Sequence, residues 1–422
     1  MFAILRRSAL IPGLALAMVT GPVFAQDPTA VSPEVVSLED ALNRSGVTSG
    51  ASPASTNSRI VGPVAEAEAA RALVGQAGLR PNPEVSFEVE NIAGSGAFSG
   101  LNATEYTLAV GQRIELGDKR AARVSSAQAQ ADLAQLKADL AEAELGFLVR
   151  QRYVSAAAAA ARVGLARDVV VRNEELARIA GVLVEVGREP PLRALRADAA
   201  LAEARAELQA AEASSLAART ALASLWNDQA TPPLVQSDFP QIEPPAFALT
   251  ALTGLQFEMA QAESRAAEAE IVRERSLRIP DPVVSAGVRR FEESNDSAFL
   301  VGVSVPLPFI NRNQGNIAAA EARLRAANAR ERVALADFEQ AVTSARARYF
   351  ASEARAETLA TTSLPQAEEA LRLVRIGYRN GRFPLIEVLS AAEARDAIRE
   401  ALIAAQEDRG QAAAELIRLA AQ

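Results

Sequence analysis

The chain has 422 residues, 44 lysines and arginines against 52 aspartates and glutamates, and a formal charge of −8 at pH 7. It contains no cysteine and no histidine, which excludes disulfides, a Cys/His zinc site and an imidazole acid–base relay. The acidic balance and the lack of a long basic run exclude a nucleic-acid partner, because nothing would neutralise the phosphates.

Residues 1–25 carry the pattern of a secretory signal peptide. Arg6 and Arg7 precede an apolar stretch from Ala9 to Val19, and Val23-Phe24-Ala25 supplies the small-residue cleavage site. The apolar stretch is too short, and too broken by Pro12 and Gly13, to span a bilayer. Cleavage would remove two positive charges and leave a net charge of about −10. No cysteine stands at the start of the mature chain, so the protein is expected not to be lipidated. Met259 would be the one remaining methionine, which excludes a thioether cluster for soft metals.

Residues 26–80 form an N-terminal segment. It is rich in Ser, Thr, Pro and Gly up to residue 58, with a short helical piece around Ser37 to Asn43. A first helix is predicted from about Val64 to Leu79, ended by Pro81-Asn82-Pro83.

Two strands follow, over about 84–91 and 104–116. In the first, Val85, Phe87 and Val89 share a face opposite Glu84, Ser86, Glu88 and Glu90. In the second, Tyr106, Leu108, Val110, Ile114 and Leu116 oppose Thr107, Ala109, Gly111, Arg113 and Glu115. Period two with one charged face is the strand signature. The stretch between them, with Gly94, Gly96 and Gly100, is a loop.

A helix over about 118–186 has no proline and would be a rod of about 100 Å. Leu133, Leu140, Phe147 and Val154 recur at seven-residue steps with Leu136 and Ala143 between them, which is coiled-coil spacing. A turn at Gly187 to Pro191 leads to a returning helix over about 192–225. There Leu201, Leu208, Ser215 and Leu222 recur at sevens, with Ala204, Ala211 and Ala218 beside them. Residues 226–250 hold Pro232, Pro233, Pro240, Pro244 and Pro245 and read as a linker. Trp226, the sole tryptophan, is expected to cap the packing there.

The second half, 251–422, repeats the order. A helix over about 251–278 precedes strands over about 283–291 and 298–309, then helices over about 314–380 and 385–421. Leu335, Val342 and Tyr349 continue the heptads, flanked by Phe338 and Ala345, and Pro365 is expected to kink or interrupt the long helix. The match is residue by residue. Pro83, Val85, Ser86 and Val89 recur as Pro282, Val284, Ser285 and Val288. Glu174, Glu175, Gly187, Pro190 and Leu195 recur as Glu368, Glu369, Gly381, Pro384 and Leu389. A duplication this large is the primary organising feature. Four strands of membrane-crossing length cannot close a barrel with a usable lumen. Several chains must therefore pool them, and three chains giving twelve strands is the smallest even answer with a water-filled interior. The fold class is expected to be mainly α with membrane β: a duplicated β-β-α-α unit giving a trimeric 12-stranded β-barrel continued by long helices.

Three segments resemble the TolC-type outer membrane factors, most closely the CzcC-like branch of heavy-metal efflux systems. They are Ala77-Gly78-Leu79-Arg80-Pro81-Asn82-Pro83-Glu84, Glu115-Leu116-Gly117-Asp118-Lys119-Arg120, and Gly377-Tyr378-Arg379-Asn380-Gly381 followed by Leu385-Ile386-Glu387-Val388-Leu389. The resemblance covers nearly all of the mature chain. It implies a homotrimer in outer-membrane lipid of a Gram-negative bacterium, with helical staves crossing the periplasm. It also implies docking to a periplasmic adaptor (membrane fusion protein) and an inner-membrane resistance–nodulation–division pump driven by protons. The implied role is a passive exit duct for divalent heavy-metal cations, with drug or type I protein export as the alternative. From another class, a soluble periplasmic coiled-coil adaptor would need further strand-rich segments that this sequence does not supply.

Where family members carry two aspartates one helical turn apart at the periplasmic tip, this chain has Glu387 and Ser390, and the first copy has Arg193 at the position of Glu387. Glu387 is the candidate gate carboxylate: three-fold symmetry would make it a cation-attracting ring, and Arg193 would hold it closed by pairing. Gly187, Arg188 and Pro190, with Gly381, Arg382 and Pro384, form the turns expected to meet the adaptor. Glu84, Glu88, Glu90, Arg113 and Glu115 are expected to line the lumen. No catalytic residue, cofactor or protein-bound metal is expected; no carboxylate pair lies beside a nucleophile or phosphate cradle.

Overall fold

A computed structural model describes residues 35–47, 57–226, 232–236, 239–250 and 253–421; the expected signal peptide, 1–25, lies outside them. In chain order the elements are β1 (Val35–Val36), α1 (Leu38–Ser45), α2 (Ser58–Ala77), β2 (Glu84–Glu90), β3 (Glu105–Arg113), α3 (Lys119–Glu185) and α4 (Pro191–Ala223). Then come β4 (Leu234–Val235), α5 (Leu255–Ser276), β5 (Val283–Phe291), β6 (Ser297–Ser304), α6 (Gln314–Thr358), α7 (Leu364–Arg379) and α8 (Leu385–Leu419).

The four long strands make one antiparallel sheet in the order β2-β3-β5-β6, so the two copies join edge to edge through β3 and β5. The register confirms the alternation. Glu88, Thr107 and Arg289 stand in line on one face, and Phe87, Leu108, Val288 and Phe299 on the other. The apolar face has nothing packed over it: Val85, Phe87, Leu108 and Val303 are exposed and Phe299 is 91% exposed. A soluble sheet would cover such a face, because leaving it in water forfeits about 25 cal/mol per Å². β2 and β6 each have one unpaired edge. The strand read to Phe309 ends at Ser304, since Pro306 and Pro308 cannot donate to a ladder.

Below the sheet the helices form four parallel staves. α3 is 67 residues long without a break, about 100 Å at the helical rise. Its counterpart is α6 and α7 joined through a π-helical turn, Leu359–Ser363, just before Pro365. Proline has no N–H and crowds the carbonyl four residues back, and a wider turn absorbs both defects without ending the helix.

Each of the other two staves is made of two helices meeting end to end. The Asn57 side-chain amide, at the start of α2, donates to the Leu225 carbonyl just beyond α4 at 2.8 Å. The Leu255 N–H, at the start of α5, donates to the Ala421 carbonyl beyond α8 at 3.3 Å. Gly254 lies so close to the Leu419 carbonyl and the Phe338 ring that no Cβ fits there. Asn57 also explains why α2 starts at Ser58 rather than Val64: its side-chain oxygen caps the Arg59 N–H at 3.0 Å, and the helix runs through Pro63.

The proline-rich segment between the copies pairs β4 with β1 in parallel and belts the staves at mid-height. Here Leu145, Val149, Tyr153, Ala156, Leu222 and Trp226 are buried together. Tyr153 donates to the Val36 carbonyl at 3.0 Å, and the Trp226 indole to the Ala41 carbonyl at 3.2 Å. Of the expected α3 heptad, Leu133 and Val154 are buried but Leu140 and Phe147 are only half-buried. α3 spends its most buried stripe, Leu145 to Ala156, inside the chain and leaves part of the heptad seam on the flank.

Candidate functional site

The two helical hairpins end at the same height. Arg172 of α3 pairs with Asp396 of α8, and Arg399 with Asp168 at 2.6 Å, so the residues some 12 to 19 positions below these pairs, the two turns, lie side by side at the end far from the sheet. Both turns are built alike. Gly187 and Gly381 each have φ +69°, a left-handed conformation that an L side chain adopts only with strain. The Arg188 N–H donates to the Leu183 carbonyl at 2.9 Å and the Arg382 N–H to the Gly377 carbonyl at 2.8 Å, which closes the helix ends. Pro190 and Pro384 then stand at the N-caps of α4 and α8, where no N–H is required. The second turn differs in one respect: the Phe383 ring lies so close to Gly377 that any Cβ there would collide with it. The first copy has Leu183 and Glu189 there and makes no such contact.

Glu387 sits exposed in the first turn of α8, where the helix dipole favours a carboxylate. Ser390, almost one turn on, is also exposed. Arg193 occupies the matching turn of α4 but pairs with Glu189 at 3.0 Å. Among the described residues of one chain no ion pair joins it to Glu387. The reason is spacing: Glu189 is four residues before Arg193 on the same helix start, whereas α4 and α8 are separated by α3. Exposed apolar side chains, Val186, Leu192, Leu195, Phe383 and Ile386, surround both turns.

Above the tip, Asp396 is 8% exposed and is held by Arg172 and by its neighbour Arg395 at 2.6 Å. Arg162 reaches Glu400 at 2.9 Å and Glu407 at 3.0 Å. This charged seam welds α3 to α8. It was not legible in the sequence, since 52 acidic residues give no hint of which one is buried.

At the other end, the register puts Glu84, Glu88, Glu90 and Arg113 on the polar face of the sheet. Glu115 is not among them. β3 ends at Arg113, and Glu115 lies beyond it, held by Arg123 of α3; the chain is already turning there through Gly117, φ +71°. The sequence also passed over Arg289, which bridges Glu90 and Glu105, each at 2.9 Å, and meets Thr107 at 3.0 Å.

The joint between sheet and staves is fixed by a pair of low exposure. The Lys119 ammonium lies 2.6 Å from Asp281, and the same carboxylate accepts the Leu116 N–H at 3.0 Å. Burial pushes the Asp281 carboxyl up, but the Lys119 hydrogen bond, the Leu116 N–H and the charges of Lys119 and Arg113 outweigh it and hold it below its ordinary value.

Among the described residues no group of three acidic side chains is placed to hold a metal ion, and no helix is long and apolar enough to cross a membrane.

Comparison with known proteins agrees. The chain is 31% identical to the cobalt-zinc-cadmium resistance protein CzcC of Cupriavidus metallidurans over 382 residues, 88% of this chain and 85% of the relative. Its fold is similar to the outer membrane protein VceC of Vibrio cholerae, with a TM-score of 0.72 at 19% identity, covering 91% of this chain and 96% of that one. A membrane protein from Pseudomonas aeruginosa superimposes with a TM-score of 0.74 at 21% identity, covering 90% and 89%. The model of the family described as "Outer membrane efflux protein" matches residues 59–228 and 254–422. The chain, a transport duct rather than an enzyme, belongs to the outer membrane efflux protein family.

Proposed function

We propose that three copies of this chain form the outer-membrane duct of a tripartite resistance–nodulation–division efflux system and that the duct passes divalent heavy-metal cations. The observation that carries the assembly is the sheet. It is apolar and uncovered on one face, polar on the other, and unpaired at both edges. In water the bare apolar face and the open edges are liabilities; in a bilayer a closed ring of such sheets removes both and turns the polar face to a water-filled interior. Kinship with the cobalt-zinc-cadmium resistance protein over most of both chains supports the cargo. The lack of histidine and cysteine suits a conduit that does not retain soft cations.

Transport through the duct is passive, and the pump supplies the energy. At the periplasmic end, Glu387 from three chains forms a carboxylate ring that concentrates cations, with Ser390 one turn above it. Arg193, paired with Glu189 in its own chain, meets Glu387 of a neighbouring copy when the gate is shut. The turns at Gly187, Arg188 and Pro190 and at Gly381, Arg382 and Pro384 dock the adaptor, with the exposed apolar side chains around them as the contact surface. Glu84, Glu88, Glu90 and Arg113 line the upper lumen.

Deleting the gene and scoring growth against cobalt, zinc, cadmium, nickel and a drug panel tests the cargo. Loss of metal tolerance alone is expected, and loss of drug tolerance alone refutes it. A protein that is monomeric in mild detergent and leaves a planar bilayer non-conducting refutes the assembly.

A further inference from the structure

The duplicated joint between strand and helix is finished differently in the two copies. In the first, the two cations at the start of the long helix each have a carboxylate: Lys119 has Asp281, and Arg123 has Glu115. In the second, Arg278 and Arg312 are exposed, and neither has a carboxylate partner among the described residues; the Arg312 guanidinium only donates to the Pro308 carbonyl at 3.3 Å. These two arginines, with Arg275, flank a groove of about 560 Å³ whose remaining walls are Ile279, Leu307, Pro308 and Phe309. Phe309 is exposed, and Ile310 beside it is 90% exposed.

The height of this groove decides its partner. The uncovered apolar face begins at Phe299 and continues through Val301, Val303, Val305 and Leu307. Eight residue steps at the strand rise, tilted as in a barrel, climb about 20 Å. Phe309 and Ile310 extend the band toward the roughly 25 Å of an outer-membrane barrel, and Arg312 follows at once. The unpaired cations therefore lie at the edge of the hydrocarbon on the periplasmic side, at phosphate level, under side chains that suit acyl chains. Long guanidinium stems let the charge reach the interface from there, and planar guanidinium binds phosphate oxygens two at a time.

We propose that Arg278 and Arg312 hold the phosphate of an anionic phospholipid of the periplasmic leaflet, one per protomer, with Leu307, Phe309 and Ile310 against its acyl chains. The proposal rests on the outer-membrane placement of the sheet. Two cations near the headgroup plane give a preference for anionic over zwitterionic lipid on the order of tenfold.

The test is native mass spectrometry of the full-length protein, purified in detergent and mixed with phosphatidylglycerol or phosphatidylcholine. Phosphatidylglycerol is expected to be retained in preference by the wild type, with the preference lost in Arg278→Gln/Arg312→Gln and kept in Arg278→Lys/Arg312→Lys. Arg80→Gln, on the first copy's joint, serves as the control and should change nothing. Equal retention of both lipids by the wild type overturns the proposal, as does an undiminished preference in the glutamine variant. Loss in the lysine and glutamine variants alike also overturns it, because charge would then not be the cause. Failure of membrane placement itself is distinguishable: the wild type would then retain neither lipid.

Discussion

The joint at Lys119 and Asp281 makes the most quantitative test of how the sheet is held on the staves. Their side chains are 8% and 16% exposed. Asp281→Asn keeps the shape and an oxygen for the Leu116 N–H but removes the charge that the ammonium needs. Removing one partner of a buried pair costs about 3–5 kcal/mol. An upper bound follows independently, because deprotonating a lysine at pH 7 costs about 4.6 kcal/mol. The surviving hydrogen bond and the position at the rim place the expected loss at the lower end, about 3 kcal/mol. Asp281 has a lowered pKa in the folded chain, so its contribution is complete above about pH 4 and is lost as the pH falls through the lower folded value. Denaturant midpoints of the detergent-solubilised protein, followed by near-UV circular dichroism, should show the full loss at pH 7, and the gap to wild type should close below pH 4. Pairing Asp281→Asn with Lys119→Met should recover most of the loss. Losses that simply add within about 0.5 kcal/mol, or a gap unchanged at pH 3, would refute the buried pair as the fastening.

Further outcomes are expected elsewhere. Val301→Lys puts a charge on the lipid-facing side and should cost about 2–4 kcal/mol per copy near the bilayer midplane, read as loss of assembled protein in the outer membrane; Glu88→Lys, on the polar face, should assemble normally and change only ion selectivity. Asp396→Asn leaves Arg172 without its partner between α3 and α8 and should cost about 3 kcal/mol, seen as faster hydrogen exchange in the lower half of α8. Arg178→Ala, which breaks only an exposed pair with Glu175, should leave the denaturant midpoint unchanged, because solvent screens such a pair. Gly377→Leu drives a side chain into the Phe383 ring and should expose the second turn to protease while the first stays intact. Glu387→Gln should lower block by divalent cations in single-channel recordings; unchanged block would remove Glu387 from the gate.

Much of this architecture was legible from residue order alone, for reasons that act locally. Period-two alternation in Val85 to Val89 and in Phe299 to Val303 reflects the geometry of a strand, and it survived into the register unchanged. Proline and glycine at 187–190 and 381–384 marked the two turns, because they restrict or release the backbone wherever they stand. What depended on residues far apart in sequence could not be seen that way. Glu115 shares the parity of a lumen-facing residue yet is drawn off by Arg123 after the strand has ended. Asp396 and Asp281 look like any other acidic residue until α3 is laid against α8 and against the loop before β5. Periodicity is a property of a few consecutive backbone dihedrals, so the order of residues carries it; pairing of buried charges depends on which helix lies beside which, and that is settled only when the whole chain has packed.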